Sequence, residues 1–540
     1  MKDISSTGSF INFYLNNYIY VDKTQYIRDL IKLERVFISR PRRFGKSLTL
    51  DTIATLFETG VEPYFKGTWI YDKWTEPTYP VLRLNFLNFD KNSLEKFNNK
   101  LNSKITEFAE LNHVTTYKEK EEAEDSIDHL LEQLRLEKRQ IVILIDEYDC
   151  QMTANINNET LYKQFQEKIK SFYDTIKNKW PIKFLGITGV TRLKDVEIFS
   201  IGSDIRDITN ASAYSQMIGF TRDEIKKYYI DYLTLAASYE NNCSVDKVTD
   251  AQIESMLDMM AQNYDGYCFD EFYKKKVFST WSVNKFFQSV VSNKFVYFGE
   301  YWYDNGGLPS ILVNYLKTHE LNIFEYLDKD KFLKVSTDDF KNPTALTTIN
   351  QNVLMCQTGY LTLRSDLKKS STVLLGIPNG EIYKALNRLL AKNIFKGNSD
   401  VTDDQAKNLL EVGSVDDIIN LFNSALNSVS YDNYPIVSES SVQNMLKLYL
   451  LGAHQEVLSE VHEAKGRADL VVNTDNKRIV FEFKYAENET EAKSKLSEAV
   501  EQIKSRDYGN ILPKKNELLR IAAVFNADPK VRAFTEYQEV

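Results

Sequence analysis

The sequence predicts an α/β protein with a parallel-sheet core in its N-terminal part, a mainly helical middle region and a smaller α/β domain at its C-terminal end. Three observations support this. Short β-branched or aromatic runs alternate with helical patterns over about the first 220 residues, as a parallel sheet with crossover helices requires. Helical periodicity rich in Tyr and Phe follows, from Thr221 to about Ser292. Near the C-terminal end two strand patterns, Ala468–Val472 and Ile479–Lys484, flank a turn and carry acidic residues.

A chain of 540 residues is too long for one hydrophobic core. We expect three domains, at 1–220, 221–429 and 430–540. With 43% apolar and 26% charged residues the composition is that of a folded, water-soluble protein. No stretch is long and apolar enough to cross a bilayer, and the N-terminus lacks the apolar segment of a secretory signal. A cytoplasmic protein without a membrane partner is expected. Cys150, Cys243, Cys268 and Cys356 lie too far apart for a disulfide framework or zinc spacing. The net charge of −9 excludes a chain that is basic throughout, though a nuclease needs only a local basic surface. Lys118–Asp125 is a charge run of the kind that covers a solvated helix face.

The expected strands of the first domain are Arg35–Ser39, Val81–Phe86, Gln140–Ile145, Lys183–Thr188 and Gln216–Phe220. The first runs into Ser39-Arg-Pro-Arg-Arg-Phe-Gly-Lys-Ser47 and then a helix opening at Leu48. Strand, tight loop, Gly-Lys-Ser and helix form the layout of a P-loop NTPase, in which loop amides wrap phosphates and the helix N-terminus faces negative charge. Arg42, Arg43, Phe44, Gly45, Lys46, Ser47 and Leu48 are the nucleotide-binding candidates. In that layout Lys46 reaches the β/γ-phosphates of ATP and Ser47 holds Mg²⁺. The loop departs from the general pattern at Arg40, where a glycine ordinarily permits a tight turn. Pro41 stiffens the turn, and Arg40, Arg42 and Arg43 crowd three cations there. At least one of them is expected to face phosphate, Asp146-Glu147 or an acidic partner.

Ile141–Ile145 is continuously apolar, as a central parallel strand should be, and ends in Asp146-Glu147. A carboxylate at Asp146 is placed to complete a Mg²⁺ shell opposite Ser47, and Glu147 can deprotonate the attacking water. After Lys183–Thr188 comes Gly189-Val-Thr-Arg192. Thr188 is a candidate contact for the γ-phosphate or its water, and Arg192 a candidate stabiliser of transition-state charge.

Val21-Asp-Lys-Thr24, the loop 39–47, Leu144-Ile-Asp-Glu-Tyr-Asp149 and Ile187-Thr-Gly-Val-Thr-Arg192 together resemble the AAA-ATPase-like family. That family typically carries a C-terminal PD-(D/E)XK nuclease-like domain. The resemblance continues through Gly219–Glu224, Tyr264-Asp-Gly-Tyr267, Tyr301-Trp302, Gln357–Thr362 and Ile377–Ile382. It implies that an arginine at position 40 is usual for the family. It also implies a helical lid after the ATPase core, and it allows assembly into a homo-oligomer. Thr221-Arg-Asp-Glu224 has capping-box spacing and should open a helix. The aromatic residues that follow are expected in the core. Asn352–Thr362 and Ser371–Gly376 read as two strands of a small wing, with a helix beginning at Pro378–Glu381.

In the C-terminal domain Val442, Leu446, Tyr449 and Leu450 mark one helix face. Turns are expected at 465–467 and 473–477. Alternation along Phe481-Glu-Phe-Lys484 puts Glu482 and Lys484 on one side of a strand, with Asp469 beginning its neighbour. Two carboxylates brought together repel unless a cation neutralises them, and Mg²⁺ or Mn²⁺ suits oxygen ligands. Lys484 can activate water and offset phosphate charge. Asp469-x12-Glu482-x-Lys484 is the pattern of a PD-(D/E)XK nuclease. The resemblance adds Glu460 as a supporting metal ligand and Gln502 on the following helix.

The expected function is an ATP-binding, ATP-hydrolysing module joined to a Mg²⁺-dependent nuclease acting on DNA or RNA. Glu147, Asp469, Glu482 and Lys484 are its catalytic candidates, and defence against mobile DNA is a use suggested by analogy. The alternative is an ATP-controlled switch that binds nucleic acid or a protein partner without cutting.

Overall fold

The computed structural model describes residues 1–193, 204–302, 310–316, 319, 323–343, 345–395, 403–463, 466–510 and 517–540. They fall into two compact units, one built from Met1–His319 with Phe332–Ile382 and the other from Glu320–Lys331 with Tyr383–Val540.

The first unit is organised by a parallel sheet of β1 (Arg35–Ser39), β2 (Val81–Asn85), β3 (Ile141–Asp146), β4 (Ile182–Gly189) and β5 (Arg206–Asp207), in the order β2-β3-β4-β1-β5. Strands β1 and β3 are buried along their whole length, which explains their unbroken apolar runs. Ser39 pairs with Gly189 and Asn85 with Asp146, so the carboxyl ends of the strands share one edge. Ligands bind at that edge in open α/β sheets. The fifth strand is not Gln216–Phe220 as expected. A turn closed by Met217 N–H on the Tyr214 carbonyl takes the start of that run out of extended geometry, and Phe220 makes a single bridge to Phe278. The short β5 takes the edge place through Val36↔Arg206 and Phe37↔Asp207.

Helix Arg222–Tyr228 opens with the expected capping box: Glu224 N–H donates to Thr221 Oγ1, and Glu224 Oε2 accepts from Thr221 N–H. Helices Ile230–Glu240, Asp250–Tyr264 and Thr280–Asn293 follow, with their aromatics packed inward. Tyr229 and Phe287, for example, stack at 5.2 Å. A three-stranded antiparallel sheet then joins β6 (Leu333–Ser336), β7 (Thr362–Leu363) and β8 (Thr372–Gly376) in the order β6-β8-β7. The Asn352–Thr362 run, expected as a strand, is mostly helix, Gln351–Gln357, capped by the Asn350 side chain. Its apolar residues are buried on all sides, a pattern that helix and strand share.

The loop after β1 is held from behind by aromatic rings. Phe44 is 1% exposed and meets Tyr267 at 4.7 Å, Phe269 at 5.4 Å and Trp302 at 6.0 Å. The Arg43 guanidinium lies 4.7 Å over Trp281 and donates to the carbonyls of Tyr301 and Trp302. The Arg43 carbonyl accepts from Thr280 Oγ1 at 2.9 Å and from Trp281 N–H. The Arg40 guanidinium is buried over Phe269 at 4.2 Å and donates to the carbonyls of Ser39 and Thr209. Asn379 Nδ2 donates to the Asp265 carbonyl, and Glu381 accepts from Trp302 N–H and Ser282 Oγ, both at 2.7 Å. The motifs at 264–267, 301–302, 357–362 and 377–382 therefore converge on the back of the loop.

The second unit holds a five-stranded sheet of β9 (Glu456–Glu463), β10 (Gly466–Asn473), β11 (Lys477–Ala486), β12 (Glu517–Asn526) and β13 (Ala533–Glu539), in the order β13-β12-β11-β10-β9. Only β11 and β12 pair in parallel. Helix Glu439–Gly452 precedes the sheet, and helix Glu489–Arg506 crosses between β11 and β12. Lys465 of the expected turn lies outside the described residues. No helix among the described residues is long and apolar enough to cross a membrane.

Gly359 has φ +92°, and a Cβ there would come within 2.9 Å of both Pro41 and Trp302. Gly359→Ala should therefore destabilise the first unit by about 1–3 kcal/mol. Thermal denaturation checks this, and an unchanged midpoint would contradict the packing described.

Candidate functional site

Gly45 takes φ +99° at the turn into helix Lys46–Thr59, a conformation that suits glycine, so the helix N-terminus opens directly from the loop. Lys46 folds over the loop, donating to the carbonyls of Arg40 at 3.1 Å and Pro41 at 3.2 Å, with Glu147 Oε1 3.7 Å away. Ser47 Oγ donates to Asp146 Oδ2 at 2.6 Å, and Thr188 Oγ1 donates to Asp146 Oδ1. Asp146 thus collects two hydroxyls at the carboxyl ends of β1, β3 and β4. Burial pushes the Glu147 carboxyl up, with Asp149 and Asp146 adding to the shift and Lys46 and Arg42 opposing it. A general base gains from such a setting.

A cavity of about 340 Å³ opens over this edge. Arg42, Arg43, Phe44, Gly45, Lys46, Ser47, Leu48 and Glu147 all line it. Among the loop arginines, the Arg42 charge bears on Glu147 and opposes the rise of its carboxyl. Arg40 turns away to the sheet edge, and the Arg43 guanidinium sits against Trp281 and two carbonyls. Arg192 lies apart from the cavity with its guanidinium on Asp207, while its backbone exchanges hydrogen bonds with the Gln357 amide. The N-terminal segment closes the cavity from the side: Phe10 N–H donates to Asp51, and Asn284 Nδ2 to the Ser5 carbonyl.

In the second unit Leu470 pairs with Phe481. The paired part of β10 and β11 ends there; Asp469 and Glu482 are the next residues of the two strands, and the Asp469 charge bears on Glu482. Phe481 and Phe483 stack on the opposite side at 5.6 Å, as strand alternation requires. Lys484 Nζ lies 2.8 Å from Glu482 Oε1, and Asp469 Oδ2 accepts from Phe483 N–H at 2.8 Å. Glu482 Oε2 is buried without a hydrogen-bond partner among the described residues. Burial pushes the Asp469 carboxyl up to about 6 and the Glu482 carboxyl up to about 7. Repulsion from Glu439 adds to the first shift, and repulsion from Asp469 to the second. Burial works against the Lys484 charge, but the hydrogen bond and charge of Glu482, with Glu439 and Asp469, hold its pKa above the ordinary value.

Residues 5–199 match the model of a predicted AAA-ATPase family, and residues 437–534 match that of the PD-(D/E)XK nuclease superfamily. The chain joins an AAA-ATPase-like domain to a PD-(D/E)XK nuclease-like domain. A protein of Azotobacter chroococcum mcd 1, described as an uncharacterized protein in the vnfD 5′ region, is 26% identical over 533 residues. The alignment covers 95% of this chain and 94% of that protein. The crystal structure of Cdc6p from Pyrobaculum aerophilum is 12% identical, covers 69% of this chain and 92% of its own, and superposes with a TM-score of 0.23, too loosely to bear on the fold.

The charge of Glu460, the acid expected to support the metal, bears on Asp469 and raises its carboxyl further. Glu460 stands in β9 with φ +55° and its carboxylate on Arg467. Among the described residues no three His, Cys, Asp or Glu side chains converge as a ready-made metal cluster. A metal there would take Asp469 and Glu482, completing its shell with other oxygens, as Mg²⁺ commonly does. The unpartnered Glu482 Oε2 fits that role. Two residues escaped sequence reasoning. Glu439 begins the helix packed on this face and lies 3.5 Å from Lys484 Nζ. Gln443, one turn on, donates to the Asp469 carbonyl. An acid in a first helical turn is ordinary, so Glu439 gave little signal. Gln502 of the following helix donates to Tyr508 Oη at 3.3 Å.

Behind the AAA-ATPase-like loop, burial pushes the Glu381 carboxyl up to about 8, against the hydrogen bonds from Ser282 and Trp302. An acid whose folded pKa is raised favours the fold below its ordinary pKa and loses that contribution as pH rises through the folded value. Raising the pH from about 5 to 8.5 should cost the wild type on the order of 4 kcal/mol more stability than Glu381→Gln. Thermal denaturation of both across that range checks the sign, and parallel curves would contradict it.

Proposed function

We propose that the chain is an ATP-binding and ATP-hydrolysing module coupled to a Mg²⁺-dependent nuclease that cuts DNA or RNA. Defence against mobile DNA is the use that this architecture suits. One observation favours cleavage over mere docking: half-buried Asp469 lies beside buried Glu482 and Lys484, and one Glu482 oxygen has no partner among the described residues. Two such acids are costly to keep together without a cation.

In the ATPase-like domain the loop amides and Lys46 would bind the nucleotide phosphates. Ser47 and Asp146, already 2.6 Å apart, would hold Mg²⁺ between them and the phosphates. Thr188 fixes the second Asp146 oxygen. Glu147 would orient and deprotonate the attacking water. Arg42 is the loop arginine offered to phosphate, whereas Arg192 needs another conformation or another copy of the chain to contribute.

In the nuclease-like domain Asp469 and Glu482 would hold Mg²⁺ or Mn²⁺. Bound there, the metal would supply a Lewis acid for the phosphate and a lowered pKa for water. Phe483 N–H fixes one Asp469 oxygen, and Gln443 holds the strand backbone behind it. Lys484 would orient the water and offset charge on the phosphate, and Glu482, with Glu439 and Asp469, keeps that lysine protonated.

Purified protein should cleave single- or double-stranded DNA or RNA with Mg²⁺ or Mn²⁺, at a rate that depends on ATP. Asp469→Ala and Glu482→Ala should each lower cleavage by at least about 100-fold. Cleavage surviving both substitutions would refute the site, and nucleic-acid binding without cleavage by the wild type would favour the switch. Lys46→Ala should weaken ATP binding by about tenfold or more, read by titration with a fluorescent ATP analogue. Unchanged affinity would refute the loop assignment.

A further inference from the structure

A second hollow of about 530 Å³ lies on the first unit, and the function above does not use it. Its walls include Tyr14, Tyr18, Tyr64 and Tyr228, and Lys66 and Lys227 stand exposed at its rim. Tyr14 is 46% exposed, and its ring meets Tyr64 edge-on at 5.6 Å. Lys227 Nζ is 4.8 Å from the Tyr228 ring. The alternation continues beside the hollow: Trp69 is 37% exposed, with Lys73 Nζ at 4.6 Å and the Arg28 guanidinium at 5.9 Å from its ring. Two acids also line the hollow, Asp22 and Asp231. Asp22 is engaged internally, accepting from Trp69 N–H, Thr24 N–H and Thr24 Oγ1. Asp231 is the exposed acid of the rim.

These walls suit a ligand with flat apolar faces and closely spaced negative charge. A duplex hides its base faces, an acidic peptide lacks rings at regular spacing, and an apolar helix would leave the rim cations uncompensated. The volume falls within the range of about 300–1,000 Å³ typical of small-ligand pockets, enough for a nucleoside unit. The hollow also shares Phe13, Ile19 and Tyr20 with the cavity over the P-loop, so both press on one segment.

We propose that this hollow binds single-stranded nucleic acid, with bases stacked on Tyr64 and Tyr228 and phosphates met by Lys66 and Lys227. The proposal rests on the reading that the chain acts on nucleic acid, but it concerns a surface other than the cleavage site.

Fluorescence anisotropy of the full chain in EDTA, with labelled oligo-dT and oligo-rU of about 20 nucleotides, tests it without cleavage. Both strands should bind, and their ratio tells DNA from RNA. Tyr64→Ala with Tyr228→Ala should weaken binding by about tenfold or more. Tyr64→Phe with Tyr228→Phe should restore it, separating stacking from a folding defect. Lys66→Glu with Lys227→Glu should flatten the salt dependence. Equal affinity of the alanine pair and the wild type would overturn the proposal. So would binding of polyglutamate as tight as that of oligo-dT. Failure of the wild type to bind either strand, with Mg²⁺-dependent cleavage intact, would overturn the hollow and leave the nuclease reading standing. Binding lost in the alanine pair, with no cleavage under any metal, would support the hollow and defeat the nuclease reading.

Discussion

The insertion of Phe44 into a socket of Tyr267, Phe269 and Trp302 is the contact on which the ATPase-like site depends. A P-loop usually reaches its tight turn through glycine, whose backbone freedom carries an entropic cost. Here Gly45 supplies that freedom at the helix start, and the rest of the loop is held from outside. Arg40 lies on Phe269, Arg43 on Trp281, and Pro41 against Gly359. Every anchor comes from a distant part of the chain, so the shape of the loop depends on packing against segments far along the sequence. The position of Lys46 over the loop carbonyls, and of Ser47 against Asp146, follows from that frame.

The second unit poses the opposite problem. Its frame is a plain five-stranded sheet, but the residues of interest are acids that the sheet buries. Burial pushes both carboxyls up, with Glu439 and Glu460 repelling Asp469 and Asp469 repelling Glu482, and Lys484 relieves part of the cost through Glu482. Such an arrangement adds little to stability, and a cation between the acids would offset the repulsion. The opposite side of the same strand shows where stability comes from: Phe481 and Phe483 stack on each other and pack with Phe422 and Phe534.

Much of this was legible because period and composition speak directly to backbone geometry. Strands β1 and β3 read clearly as apolar runs, and the Thr221 capping box as a helix start. Alternation in β11 gave the shared side of Glu482 and Lys484. What sequence cannot give is the direction of a side chain or the pairing of a short segment. Arg40 read as a cation near phosphate, yet it is a buried strut. Strand β5 is two residues long and exists only because the edge of β1 pairs with it. The run 352–362 is apolar in either conformation, and tertiary packing chose helix for its first part. Glu439 looked like any acid at a helix start until the fold brought it to Lys484.

The central claim is that the loop is pre-shaped by its aromatic socket and not by its ligand. Hydrogen–deuterium exchange of the amides spanning residues 40–47, without nucleotide, tests this most directly. Slow exchange close to that of β3 is expected, and faster exchange in Trp302→Ala. Rapid exchange in the nucleotide-free protein, with protection appearing only when ATP is added, would contradict it.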